Sequence, residues 1–176
     1  DTTAAALHAA VNRFRVLCAL RDGPRGVAAL NDGTSRRLRQ AITGAAGDAR
    51  TPWFAGRPVM VLRNDPALKL FNGDIGITLP GPDGAWRVVF PAAGDGGGWR
   101  ALAPARLPAH ETAWAMTVHK AQGSEFDAVL LLLPAQRSRV LSRELVYTAI
   151  TRARQQVQVA AGADVLAAAV QASSQR

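Results

Sequence analysis

Apolar and polar positions change rhythm twice along this chain. From Asp1 an alanine-rich helical stretch gives way to an apolar strand, Phe14-Arg15-Val16-Leu17-Cys18-Ala19-Leu20. Asp22-Gly23-Pro24 then turns the chain into a helix whose apolar positions Val27, Leu30, Leu38 and Ile42 follow the helical period, with an interruption expected at Gly33. Thr43–Ala55, with its glycines and Pro52, reads as loop. The middle of the chain carries short strand-like runs instead: Pro58-Val59-Met60-Val61-Leu62, Asp74-Ile75-Gly76-Ile77-Thr78-Leu79 and Trp86-Arg87-Val88-Val89-Phe90. Asn-Asp-Pro, Asn72-Gly73-Asp74 and Gly81-Pro82-Asp83-Gly84 turns separate them, and Asp95–Gly98 reads as a flexible loop. Short strands at close spacing predict a small antiparallel barrel or sheet.

After Pro108 strands and helices alternate again. Trp114–Thr117 is a short strand and Val129–Leu133 an apolar strand of the kind buried in a parallel sheet. Ser142 caps a helix expected to run through Arg152, Gln156-Val157-Gln158-Val159 alternates like an edge strand, and an alanine-rich helix follows Asp164. An all-β zone between two α/β zones reads as an insertion. The expected organisation is 1–56 as the first part of one α/β lobe, 57–108 as the insert, and 109–176 as the second part.

At 176 residues the chain has room for one domain or two small lobes, and 48% hydrophobic residues give it a globular composition. Lys and Arg outnumber Asp and Glu 21 to 13, for a net charge of +8, which favours a polyanionic partner. The excess is spread over all three zones, and every basic residue except Lys69 and Lys120 is arginine, suited to bidentate phosphate contacts. The single cysteine, Cys18, excludes a disulfide framework and fits a reducing, cytoplasmic compartment; inside an apolar strand it is a packing residue. His8, His110 and His119 lie far apart, so no zinc site is expected. The longest apolar run, Ala128–Leu133, is far too short to span a bilayer, and no membrane partner is expected. A chain that opens on Asp rather than Met reads as a fragment.

Two strings carry candidate chemistry. In Thr117-Val118-His119-Lys120-Ala121-Gln122-Gly123-Ser124-Glu125-Phe126-Asp127, polar side chains follow a strand end, where open α/β sheets bind ligands. Thr117, His119 and Ser124 offer hydrogen bonds to phosphate oxygens, and Gly123 permits close backbone approach. The plainer alternative is a polar turn that caps a helix. In Ser142-Arg143-Glu144-Leu145-Val146-Tyr147-Thr148-Ala149-Ile150-Thr151-Arg152-Ala153-Arg154, the stripe Val146, Ala149, Ile150 and Ala153 is expected to pack, leaving Glu144, Thr148, Thr151 and Arg152 on another face. Arg152 suits stabilisation of phosphoryl-transfer charge, or simply complements the helix dipole. At Phe71-Asn72-Gly73-Asp74 a type I′ turn with Phe71 packed inward is expected, the alternative being a DNA-facing tip. Trp53, Trp86, Trp99 and Trp114 are dispersed and expected in packed positions.

In this order, the two strings resemble motifs V and VI of superfamily-1 DNA helicases, and those of the RecD type in particular. The resemblance continues through Phe14–Val27, Gly56–Met60, Leu70–Gly76 and Leu107–Met116 and weakens at Thr43–Pro52 and Pro80–Arg100. It implies the second RecA-like (P-loop NTPase-type) lobe of a helicase, a parallel sheet with an inserted SH3-like barrel. Arg152 then corresponds to the motif VI arginine that reaches the ATP γ-phosphate, and Arg21 to a second arginine there. Gln122, Gly123 and Glu125 couple the nucleotide cleft to DNA, while Thr117, His119, Lys120 and Ser124 face the single strand. Ala121 stands where many relatives have Ser, which removes one hydroxyl contact to the DNA backbone.

The resemblance also implies 5′-to-3′ translocation on single-stranded DNA within a recombination-repair helicase–nuclease, with RecB and RecC subunits as partners. ATP and Mg²⁺ are implied for the full protein, bound mainly by an N-terminal RecA-like lobe. This sequence contains no G-x-x-x-x-G-K-[ST] phosphate loop and no Asp-Glu pair after a strand, so alone it is not expected to hydrolyse ATP. The rivals are the helicase region of a conjugative relaxase, a stand-alone RecD-like helicase, and a non-enzymatic basic module that docks DNA or a subunit.

Overall fold

The computed structural model describes residues 2–43, 51–92 and 97–173. Most of the loop expected at Thr43–Ala55, and Asp95 and Gly96 of the loop expected at Asp95–Gly98, lie outside the described residues. The chain divides into two compact units: residues 1–11 with 35–113, and residues 12–34 with 114–176.

The second unit holds a four-stranded parallel sheet, ordered β7-β1-β8-β9: β1 is Phe14–Cys18, β7 Ala115–Thr117, β8 Phe126–Leu132 and β9 Ala153–Ala160. The apolar runs take the two interior positions, β1 and β8, and the alternating Gln156–Val159 run takes an edge. That is the partition expected when interior strands meet packing on both faces. Helix α3 (Arg143–Ile150) connects β8 to β9 and packs on both strands and on α4 (Ala163–Gln171). The hydroxyl of Ser142 caps α3 by accepting from the Leu145 amide at 3.1 Å.

Helix α2 (Val27–Thr43) runs unbroken through Gly33, where an interruption was expected; one glycine costs only about 1 kcal/mol relative to alanine, too little to break a helix of this length. Its first amides are met by the preceding turn, Val27 donating to the Leu20 carbonyl and Ala28 to that of Arg21. The stripe read from Val27 to Ile42 is also corrected: Ile42 is 56% exposed, whereas polar Asn31, one turn after Val27, is buried. Cys18, Val27 and Ala115 form a core with Val16, Leu30 and Leu132, and burial pushes the Cys18 thiol up to about 11.

In the first unit, β2 (Pro58–Val61), β3 (Ile75–Pro80), β4 (Trp86–Pro91), β5 (Trp99–Leu102) and β6 (His110–Thr112) form an antiparallel sheet ordered β5-β4-β3-β2-β6. The sheet extends past the expected limit at Pro108, because β6 pairs with β2. The helical ends 2–11 and 35–43 also fall in this unit rather than with the parallel sheet, where the expected boundary at residue 56 had put them. Among the described residues no ladder joins β5 to β6. Val59, Val61, Leu70, Val88, Phe90 and Leu102 make its core. Arg57 donates through Nε and Nη2 to Thr112 Oγ1 and lies 4.5 Å over the Trp53 ring, tying β2 to β6. The four tryptophans are half-buried.

Gly76 is the tightest point of this core. A Cβ there would stand 2.7 Å from the Phe90 ring and from a Val88 methyl, so Gly76→Ala should lower the midpoint of chemical denaturation by the equivalent of about 1–3 kcal/mol. An unshifted midpoint would contradict this packing. The turn Phe71–Asp74 is not type I′, since Gly73 has φ 97° but Asn72 does not enter the left-handed region. Phe71 is 51% exposed rather than packed inward. No described helix is long and apolar enough to cross a membrane.

Candidate functional site

The segment that follows β7 is a run of overlapping turns. The Ala121 amide donates to the carbonyls of Thr117 and Val118, Gln122 to His119, and Ser124 to Ala121; the Lys120 amide donates to Thr117 Oγ1 at 3.3 Å. Val118 and Ala121 are buried and anchor the run. Ala121 therefore packs inward, where no hydroxyl would face a ligand. His119, Gln122, Gly123, Ser124 and Glu125 are exposed, while Thr117 and Lys120 are half-buried. Gly123 takes φ 85°, the left-handed turn that redirects the chain toward β8.

Sheet register shows where this segment travels. Thr117 pairs with Cys18 at the C-terminal end of β1, whereas Ala128 pairs with Phe14 at its N-terminal end. Residues 118–125 thus run back along the length of the strand. Thr117, His119 and Lys120 stay at the C-terminal edge, with Arg21 in the turn after β1. Ser124 and Glu125 arrive at the opposite edge, where β8 and β9 begin.

Arg152 waits at that edge. Helix α3 ends at Ile150, two residues before the expected limit, because the amides of Thr151 and Arg152 turn back to the carbonyls of Tyr147 and Ala149. The packed face of α3 is Val146 and Ala149; Ile150 is exposed and Ala153 already belongs to β9. Half-buried Arg152 donates Nε to the Thr148 carbonyl at 3.2 Å, Nη1 to the Ser124 carbonyl at 3.3 Å and Nη2 to Thr151 Oγ1 at 3.3 Å. Its own carbonyl accepts from the Phe126 amide at 2.8 Å. One guanidinium therefore caps the helix end and grips the turn segment together. All three contacts by its side chain are at the long end of the hydrogen-bond range, so exchanging one for a charged acceptor is inexpensive.

The structure therefore brings Ser124 and Glu125 to Arg152, and leaves Arg21, Thr117, His119 and Lys120 at the other edge. Exposed Ser124, assigned from sequence to the DNA-facing group, meets Arg152 through its backbone carbonyl. Arg21 is exposed and does not join Arg152, because each precedes or follows its strand at opposite ends of a parallel sheet.

Three further residues shape the site. Arg154 pairs with Glu125 at 3.0 Å, a link that only the β8–β9 pairing creates. Both partners are well exposed, so the pair adds little stability. Arg15 is 1% exposed, lies 5.0 Å over the Phe126 ring where β8 begins, and donates to Asn12 Oδ1; burial pushes it down to about 10, still charged at neutral pH. Asn31 clamps β7 just before the turn segment, donating Nδ2 to the Ala115 carbonyl at 3.1 Å and accepting the Ala115 amide on Oδ1 at 2.8 Å. An amide one turn after Val27 on the packed side of a helix was the sequence signal for such a clamp.

Beside Arg152 a shallow cavity of about 260 Å³ is lined by Arg143, Glu144, Tyr147 and Thr148, with Tyr147 68% exposed. Among the described residues no group of three His, Cys, Asp or Glu side chains converges as a metal site.

The stretch from the end of β6 through β7, β8 and β9 of the parallel sheet, residues 112–160, matches the UvrD-like helicase C-terminal domain. Over most of its length the chain is similar to RecD-type helicase subunits. It is 45% identical over 152 residues to the RecBCD enzyme subunit RecD of Mycobacterium tuberculosis (strain H37Rv), covering 86% of this chain and 25% of that protein. It is 37% identical over 174 residues to RecD of Haemophilus influenzae, covering 98% and 25%. The ATP-dependent RecD2 DNA helicase of Deinococcus radiodurans is 36% identical over 143 residues, covering 80% and 19%. The chain thus spans about a quarter of the length of the RecD relatives it matches.

Proposed function

We propose that this chain is the nucleotide-responsive second lobe of an ATP-dependent DNA helicase that moves 5′ to 3′ along single-stranded DNA as a subunit of a RecBCD-type exonuclease V in recombination repair. The observation that carries this reading is the triple contact of Arg152. The same guanidinium that would meet the γ-phosphate holds the Ser124 carbonyl and the end of α3. When a phosphate takes Nη1, the turn segment loses one of its restraints. At the far end of that segment Thr117, His119 and Lys120 would alter their grip on the strand. Nucleotide state and strand grip are thereby linked through residues 117–125, with Gln122, Gly123 and Glu125 in the connecting part.

In this reading ATP and Mg²⁺ are seated mainly by an N-terminal RecA-like lobe of the full protein. The present lobe supplies charge stabilisation rather than the phosphate cradle, so it does not turn over ATP alone. The antiparallel unit corresponds to the SH3-like insert, and RecB and RecC are the partner subunits. The RecD2 match supports a second reading, a stand-alone helicase of the same mechanism.

The test uses the full-length protein, alone and with RecB and RecC, on duplexes bearing a single 5′ or 3′ oligothymidylate tail. Unwinding of the 5′-tailed substrate, with ATPase stimulated by the tail, is expected; unwinding from the 3′ tail, or DNA-independent hydrolysis, would overturn the proposal. Failure to co-purify with RecB and RecC would favour the stand-alone reading.

A further inference from the structure

The connection between β2 and β3 is pinned by hydrogen bonds along its second half, and it holds an aromatic ring in solvent. Every backbone amide from Leu68 to Asp74 has an acceptor. Leu68 donates to Asp65 Oδ1, Lys69 to the Pro66 carbonyl and Leu70 to that of Asp65; Phe71 donates to Asp74 Oδ2 and Asn72 to Asn64 Oδ1. Gly73 donates to the Val61 carbonyl and Asp74 to that of Phe71. Arg100 clamps the loop from β5, donating to the carbonyls of Leu68 and Lys69. Leu70 is fully buried beneath it, yet the next residue, Phe71, is 51% exposed.

A loop built to hide its apolar residues would turn this ring inward, as it does Leu70. The ring is instead presented on a backbone with little freedom left to lose on binding. Its surroundings indicate the occupant. Both carboxylates of the loop, Asp65 and Asp74, accept from the loop's own amides, while Arg63 and Lys69 are exposed and Arg100 reaches in beside them. Among its exposed neighbours Pro66 and Ala67 are small apolar residues, Asn64 and Asn72 are neutral amides, and the charged ones, Arg63 and Lys69, are both basic. A lone flat ring among cations fits a strand that stacks one base and lays its phosphates on the basic side chains.

We propose that Phe71 is a base-stacking platform for single-stranded nucleic acid, with Lys69 and Arg63 as its phosphate contacts. This is a second contact point, separate from residues 117–125. It rests on the DNA-binding part of the function proposed above but not on the assignment of Arg152.

The experiment measures equilibrium binding of the full-length protein to fluorescein-labelled oligothymidylate and to an abasic deoxyribose-phosphate oligomer of the same length. Fluorescence anisotropy without nucleotide at fixed salt gives both affinities. Phe71→Ala should weaken oligothymidylate binding about tenfold, the scale of one lost base stack, and leave the abasic oligomer unchanged. Phe71→Trp should restore it. Lys69→Ala should weaken both oligomers and reduce the salt dependence by about one phosphate contact. Equal affinity of Phe71→Ala and wild type for oligothymidylate overturns the proposal, as does an equal loss on the abasic oligomer. A loss seen only in association with RecB and RecC, signifying a protein contact, also overturns it. Because the readout is binding without ATP, a failed motor assay on wild type strikes the function proposed above and leaves this result independent. Wild type that binds neither oligomer refutes both.

Discussion

Arg152→Ala is expected to reduce the DNA-stimulated ATPase of the full-length protein by roughly a thousandfold, the scale on which arginine fingers act, while single-stranded DNA is still bound in the absence of nucleotide. The split follows from geometry. Arg152 makes three long hydrogen bonds of 3.2 to 3.3 Å from a half-buried position, so its loss costs the fold about 1–3 kcal/mol. What disappears is a fork able to serve Thr148, Ser124 and a phosphate in turn. Arg152→Lys should recover little, because a compact ammonium lacks the rigid planar fork whose separated nitrogens reach Thr148 together with Ser124 or a phosphate. Single-turnover hydrolysis and oligothymidylate binding, measured on the same preparations, separate the two effects. Undiminished turnover would remove Arg152 from the chemistry and leave it as a helix cap.

The second large effect is structural. Asn31→Ala should destabilise the parallel-sheet unit by about 3 kcal/mol, since it strands both the amide and the carbonyl of Ala115 in a buried setting. Asn31→Asp should fare no better, because a carboxylate oxygen would replace the donor facing the Ala115 carbonyl and bring a buried charge with it. Hydrogen exchange on the full-length protein gives a local readout: peptides covering Ala115–Ala121 should lose protection, whereas those covering Val59–Val61 should keep it. Equal protection across β7 in wild type and variant would show that the clamp does not hold the strand. Loss of the clamp should also blunt stimulation of ATPase by DNA, because Thr117 and the turns that follow it hang from β7.

Several features of the fold were legible in single segments. The apolar runs at Val16 and Val129 announced interior strands of a parallel sheet, and Ser142 announced the start of α3. The Gly/Pro-punctuated middle announced antiparallel strands. The misreadings share a cause. Gly33 suggested a break that the helical neighbours on either side override, and Ile150 and Ala153 continued a helical period past the point where Thr151 and Arg152 turn out of the helix. Phe71 was placed inward with a type I′ turn that the backbone does not adopt. A local pattern reports propensity; burial is decided by what arrives from elsewhere in the chain.

The candidate site shows the same limit more sharply. Residue types marked Thr117–Glu125 and Arg152 as candidates beside plainer roles as a capping turn and a helix-dipole partner, and the resemblance to helicase motifs V and VI gave them weight. Position along the chain could not divide them. Thr117 and Ser124 are near neighbours in sequence, yet the parallel register of β1 with β7 and β8 sends them to opposite edges of the sheet. Glu125 and Arg154 are distant in sequence and meet because β8 and β9 pair. The amino-acid sequence by itself determined the alternation of α/β and antiparallel zones, the basic character and the choice of two candidate segments, because these follow from side-chain type and local period. Only the tertiary structure decided which of those side chains share a site, because strand register and turn direction, not spacing, govern which groups come within hydrogen-bonding distance.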